Sequence, residues 1–200
     1  SMAMMFRSAA LAVSLSLAGP AAVWAQPADP AVQRVEQYNQ ALLGVMKQGK
    51  ALGMAGRAER FQPIVENYYD NAAAAALVVG APWAKASPAD KAALIAALTR
   101  HNAVSHASNY KSFDGERFVV DSNSVVRGAD RLVRVRIDRT QIVYRMRQRG
   151  GQWKIVDVLA DGISQMAVQR ADYASTVASA GVGGLARRIA AIDARTLKGR

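Results

Sequence analysis

Few side chains in this sequence are of a type that does chemistry. His101 and His106 are its two histidines. Five residues of helix leave their rings about 140° apart, on different faces. Zinc needs three or four converging nitrogen, sulfur or oxygen ligands, and cysteine is absent. The two imidazoles are therefore read as helix-surface or partly buried groups, not as a metal site. Asp157 and Asp161 could act as a general acid–base pair, but a strand end and an Asp161-Gly162 turn account for both. Nucleophile-elbow and phosphate-loop patterns do not occur, and Gly181-Val182-Gly183-Gly184 lacks the preceding strand a dinucleotide site requires. The expectation is a protein that is not an enzyme and needs no cofactor.

The other chemical signal is charge. The chain carries 26 Lys and Arg against 15 Asp and Glu, a net charge of +11. Seven arginines fall between Arg131 and Arg149 with Asp138 the one acid, and five basic residues lie between Arg187 and Arg200 with Asp193 the one acid. Such patches often meet nucleic acid. The N-terminus argues otherwise. Arg7, the apolar run Ala9 to Ala18, and Val23-Trp24-Ala25 before Gln26 have the form of a cleavable secretory signal. The apolar run is too short for a membrane span, which needs roughly 20 residues. Ser1 ahead of Met2 reads as a cloning remnant. Residues 1–25 are thus expected to be removed and 26–200 to form one exported domain, without disulfides. In that compartment anionic lipid headgroups or acidic protein faces are the natural partners, with a merely solvated face as the alternative.

The elements that must position these groups follow from periodicity. Val32, Val35, Tyr38, Leu42, Val45 and Met46 have helical spacing behind Pro30. Gly49, Gly53 and Gly56 read as a flexible turn before a second helix marked by Phe61, Ile64, Val65 and Tyr68. The run Ala72 to Ala76 favours helix. Ser87-Pro88-Ala89-Asp90 is a helix start, and the long helix behind it presents Leu94, Ile95, Leu98, Val104 and Tyr110. The period then changes to two. A strand is expected from Phe118 through Asp121-Ser122-Asn123 to Val125, then a turn at Gly128-Ala129-Asp130. The next strand alternates Val133, Val135 and Ile137 with Arg134 and Arg136. Ile142, Tyr144 and Met146 alternate with Arg145 and Arg147 in another. A Gly150-Gly151 hairpin leads to a last strand with Trp153 and Ile155 on one face and Lys154, Val156 and Val158 on the other. Asp161-Gly162 ends the sheet, Ser164 caps a helix bearing Met166, Tyr173 and Val177, and Gly181, Gly183 and Gly184 separate a final helix.

This order is an α+β layer design: a curved antiparallel sheet of about four strands with helices on one face, similar to cystatin- and NTF2-like folds. A cone of that shape encloses an apolar cavity. By themselves the apolar sheet face and the helices over it read as ordinary packed core; it is the family resemblance carried by the segments that follow that implies a ligand cavity and makes Leu94, Leu98, Val104, Val133, Val135, Ile142, Tyr144, Met146, Ile155, Val158, Ile163, Met166 and Tyr173 the candidates for its wall. Arg134, Arg136, Arg145 and Arg147 are the candidates for headgroup or partner docking.

Taken in order, several segments resemble the MlaC or toluene-tolerance family. They are Leu77-Val78-Val79-Gly80-Ala81-Pro82-Trp83, Tyr144-Arg145-Met146-Arg147, Gly150-Gly151-Gln152-Trp153-Lys154-Ile155-Val156-Asp157-Val158, Asp161-Gly162-Ile163-Ser164, Arg170-Ala171-Asp172-Tyr173 and Gly181-Val182-Gly183-Gly184-Leu185. Val156 departs from the tyrosine usual there, and Gln165-Met166 from an aliphatic pair. The chain looks closer to the hopanoid-associated HpnM-type branch than to the phospholipid type. The resemblance implies a periplasmic carrier that ferries a lipid, hopanoid or glycerophospholipid, between inner- and outer-membrane complexes. Shielding one acyl chain of about fifteen methylenes from water is worth on the order of 12 kcal/mol. The competing readings are an isomerase or dehydratase on a similar cone, which needs a carboxylate or histidine facing the cavity, and a scaffold with a filled core.

Overall fold

The computed structural model describes residues 19–22 and 27–199. Most of the expected signal segment, including its cleavage site, lies outside the described residues.

Asp29 starts α1 (Pro30–Met46) as its N-cap, accepting hydrogen bonds from the Ala31 and Val32 amides. Its second carboxylate oxygen accepts from Ser124 N–H at 2.9 Å and from the Ser124 hydroxyl at 2.6 Å, which ties the helix start to the sheet. The glycines after α1 do not form a loop. Helix α2 begins at once (Gly49–Tyr68) and kinks at Gly53, where φ is +66°. The kink absorbs what the three glycines were expected to do. α3 (Asn71–Val79) holds the alanine run, and a 3₁₀ turn (Ala81–Lys85) leads to α4 (Pro88–Asn109), capped by the Ser87 hydroxyl.

The sheet has six strands, not about four: β1 (Phe118–Val120), β2 (Val125–Arg127), β3 (Asp130–Ile137), β4 (Thr140–Arg149), β5 (Gln152–Ala160) and β6 (Ile163–Ser164). The expected first strand is broken at residues 121–124, where Ser124 turns to Asp29, so β1 and β2 each pair with a different end of β3. The order is β1-β3-β4-β5-β6, and every pairing is antiparallel. Gly150 and Gly151 both have positive φ in the β4–β5 hairpin, as a tight turn demands. The sheet does not end at Asp161-Gly162. That turn folds β6 back onto β5, and the Ser164 hydroxyl then caps α5 (Gln165–Leu197). α5 is broken at Gly181, where φ is +72°, while Gly183 and Gly184 lie within its second segment.

Two apolar cores result. One joins α1, α2, the second half of α4 and the sheet through Tyr38, Leu42, Phe61, Val133, Tyr144 and Met146. The other joins α3, the first half of α4 and α5 through Val78, Leu94, Tyr173 and Leu185. Helix α4 spans both.

One irregularity decides which β5 side chains face inward. Arg145 is opposite Asp157, but Met146 is opposite Ile155, so Val156 is an inserted residue. Such a bulge reverses the alternation beyond it. Ile155 and Val158 therefore share the face of Met146 and Tyr144, where strict alternation had put them on opposite faces.

Candidate functional site

Between the two cores lies a cavity of about 380 Å³. Its walls come from α1 (Tyr38), the α2–α3 junction (Tyr69, Asn71), α3 (Ala74, Val78), α4, β4 (Ile142, Tyr144), β5 (Val156, Asp157, Val158) and the start of α5 (Gln165, Met166, Gln169). Of the residues nominated from sequence, Leu98, Ile142, Tyr144, Val158 and Met166 line it. Val104, Val133, Val135, Met146 and Ile155 are packed in the core under α1 and α2. Leu94 and Tyr173 belong to the core between α3, α4 and α5. Ile163 is 59 % exposed on β6.

The cavity also has a polar wall, which was not expected from the sequence. Leu98, His101, Asn102, Ser105, His106 and Asn109 all border the cavity from α4. Their spacing is i, i+3, i+4, i+7, i+8 and i+11, one broad stripe of a helix. The signal in the sequence is polar residues at helical spacing, on the same helix as the apolar ones. The two histidines thus border the same cavity, although separate faces were expected for them, because the stripe is broad enough to hold one at each edge. They do not converge on a common ligand, and among the described residues no group of three or more His, Cys, Asp or Glu could hold a metal.

Each histidine has a distinct partner. His106 Nδ1 lies 2.8 Å from the Asn102 carbonyl, which only accepts, so Nδ1 carries the proton. Nε2 is then an acceptor, and the Tyr38 hydroxyl donates to it at 2.5 Å. Tyr69 donates in turn to Tyr38 at 3.0 Å, and Tyr144 packs edge-on against the Tyr38 ring. Burial lowers the His106 pKa to about 4 and raises those of Tyr38, Tyr69, Tyr110 and Tyr144. This end of the cavity is therefore neutral at physiological pH. His101 gives Nδ1 to the buried Asp193 of α5, 2.9 Å from Oδ1 and 3.1 Å from Oδ2. That partner orients the ring and sets the tautomer.

Asp157, the carboxylate in the wall, accepts three hydrogen bonds. One oxygen accepts from the amides of Val158 and Met166, and the other from the Ser164 hydroxyl, so it fastens α5 to the sheet. Among the described residues no lysine or arginine lines the cavity.

The arginines lie on the other face of the sheet. Arg134 and Arg136 are exposed there, Arg134 only 3.9 Å from Asp121. Arg145 and Arg147 are not free docking groups. Both are clamped to Asp130, Arg145 at 2.5 Å and Arg147 at 2.7 and 3.0 Å. Asp130, expected in a turn, is instead a buried residue that opens β3. Arg147 and then Arg145 hold its carboxyl below the ordinary carboxylate range, against the opposing effect of burial.

The family model described as MlaC protein matches residues 36–191. Among solved structures, the phospholipid-binding protein from Ralstonia solanacearum, determined in complex with a phospholipid, superposes with a TM-score of 0.71. The match covers 85 % of this chain and 99 % of that one at 17 % identity, which speaks for a shared fold. No curated protein matches the sequence.

Proposed function

The chain belongs to the MlaC family, and on that premise we propose that it is a periplasmic lipid carrier, exported by its first 25 residues and folded as one domain from residue 26. The observation that carries the reading is the cavity between the two cores. It lies at the lower end of the 300–1,000 Å³ range of ligand pockets. Val78, Leu98, Ile142, Val158 and Met166 supply apolar wall to a lipid's hydrocarbon, and the amides and hydroxyls of α4 face them. The solved structure of like fold holds a phospholipid. No enzymatic step is required of such a carrier.

The polar wall also bears on which lipid. A phosphate inside the cavity would meet no cationic partner among the described residues and would carry a large desolvation cost. Hydroxyls would meet His101, Asn102, Ser105 and Asn109. Of the two lipids the resemblance implies, a hydroxylated hopanoid matches this wall with its polar part inside, whereas a glycerophospholipid must leave its headgroup at the mouth. Transfer between inner- and outer-membrane complexes is the role in which such a carrier serves.

Transfer of labelled lipid from donor to acceptor vesicles, run with phosphatidylglycerol and with a hopanoid polyol, tests the proposal. Acceleration by the protein, greater for the polyol, supports it; no acceleration with either lipid rejects it. His101, oriented by Asp193, favours the isomerase or dehydratase reading. Under that reading His101→Gln abolishes a turnover that the carrier reading does not contain.

A further inference from the structure

One end of the cavity holds a chain of hydrogen bonds whose protons all run one way. The direction is set at the backbone. The Asn102 carbonyl accepts from His106 Nδ1 at 2.8 Å, so Nε2 carries no proton and accepts. The Tyr38 hydroxyl has one proton, and His106 takes it at 2.5 Å. The 3.0 Å contact between the Tyr38 and Tyr69 hydroxyls is then closed by the Tyr69 proton. Tyr69 is left with lone pairs alone. Among the described residues its hydroxyl has no hydrogen-bond partner besides Tyr38, and so nothing donates to it.

Tyr69 is held in place from several sides. It is half-buried and lines the cavity at the junction of α2 and α3. Its backbone bridges to Ile155 of β5, and the next amide, Asp70 N–H, donates to the Ile155 carbonyl at 2.9 Å. The rings of Tyr38 and His106 both stand edge-on to that of Tyr69, with 5.7 Å between centroids in each case. A polar atom fixed in this way loses little freedom when a ligand arrives. Burial raises the Tyr69 pKa and lowers that of His106 to about 4, so the chain is uncharged at neutral pH.

We propose that this end of the cavity selects a lipid alcohol, whose hydroxyl donates to the Tyr69 oxygen, over a lipid that presents a ketone, ester or ether oxygen there. An oxygen of the second kind only accepts, and so does Tyr69, so each would leave the other unpaired in a buried contact. A site built to bond a hydroxyl rejects the analogue that lacks one, because its own polar group is then stranded. Tyr69 is the residue that sets specificity. His106 is a positioning residue, acting on Tyr69 through Tyr38. The proposal rests on the carrier reading and adds a polarity to one end of the cavity, where the carboxamides of Asn102 and Asn109 on α4 both donate and accept.

The test is a competition. The full chain is incubated with equal concentrations of dodecanol and methyl decyl ketone, which have the same number of carbons and one oxygen each. What the protein retains is extracted and quantified by gas chromatography. The parent is expected to retain alcohol over ketone by about tenfold, the worth of one hydrogen bond. Tyr69→Phe keeps the ring and drops the oxygen, and should bring the ratio near one by loss of alcohol. His106→Phe removes the acceptor at the end of the chain. The Tyr38 proton is then free to turn to Tyr69, and the Tyr69 proton to the cavity, so the ratio should fall by gain of ketone while alcohol is kept. A variant that merely loosened the cavity would lose both compounds alike. Circular dichroism checks folding, and Tyr69→Phe decides alone if His106→Phe does not fold. Equal retention of both compounds by the parent, or a Tyr69→Phe protein with the parent's ratio, overturns the proposal and leaves the carrier reading standing. A parent that retains neither compound also overturns it, and vesicle transfer then shows whether the carrier reading falls with it.

Discussion

The Tyr38 hydroxyl donates to Nε2 of His106 at 2.5 Å, and the tautomer that permits this is set on the other side of the ring by the Asn102 carbonyl. The ring is a fixed neutral acceptor inside the protein, and burial holds its pKa near 4.

That has a consequence for stability. The unfolded chain protonates a histidine near pH 6.5, and the folded chain resists until about pH 4. Between these values the unfolded state binds more protons, so stability rises with pH through the window and is lost as pH falls through it. A shift of this size corresponds to on the order of 3 kcal/mol. Urea unfolding at pH 4.5 and 7.5 should show the difference, and His106→Gln, neutral throughout, should flatten it. An unchanged slope in the variant would place the acid sensitivity elsewhere.

Met146 and Met166 should respond in opposite ways to the same change. Met146 is sealed in the core beside Ile155, whereas Met166 borders the cavity. A carboxylate buried without a partner costs several kcal/mol. A cavity wall relieves that cost by admitting water, and a packed core cannot. Met146→Glu is therefore expected to unfold the chain. Met166→Glu is expected to leave circular dichroism intact while lipid no longer co-purifies. If both fold, or both unfold, the division between core and wall is wrong.

Asp130 and Arg147 form the pair on the outer sheet face whose loss should be felt. The carboxylate is buried and accepts two bonds from Arg147 and one from Arg145. Removing one partner of a fully buried pair costs about 3–5 kcal/mol. Both arginines are partly exposed, so Arg147→Ala should cost less, roughly 1–2 kcal/mol, and Arg134→Ala close to nothing. Because the Asp130 pKa is depressed, its contribution is complete above the ordinary carboxylate range and fades as pH falls through the folded value. Thermal unfolding of the two single variants at pH 7 and pH 3 checks both the ranking and the sign.

The same geometry divides the arginine cluster by role. Arg134 and Arg136 have exposed ends, while Arg145 and Arg147 are committed to Asp130. Binding to anionic vesicles should weaken as salt rises from 0.05 to about 0.5 M, since exposed charges are screened within about 10 Å at 0.1 M. A double Arg134→Ser, Arg136→Ser variant should lose most of that salt-sensitive binding. Retention of the full salt response would move the docking face elsewhere.

The layer order, the capped start of α4 and the apolar face of β3 and β4 were legible in the sequence because each depends on local periodicity. The β5 bulge was not. No residue type announces that Val156 is inserted, and the shift follows from pairing with β4. The kink at Gly53 was read as a loop because glycine permits both outcomes. Asp130 was read as part of a turn because its neighbours are Gly128 and Ala129, and its two arginines lie a strand away. The cavity is expected from the sequence but its polar wall is not, since apolar periodicity on α4 carries no information about Asn102, Ser105 and Asn109 at the same spacing.

A lipid carrier of the kind proposed holds its lipid in the space between the two cores, bounded by Leu98, Val158 and Met166. The direct measurement is native mass spectrometry of the chain exported into a periplasm, in parallel with Met166→Trp, which fills part of that space without introducing charge. A bound lipid of discrete mass is expected on the parent, and a folded, lipid-free protein for the variant. A parent that carries no lipid even after incubation with vesicles, or a Met166→Trp protein loaded as fully as the parent, would contradict it.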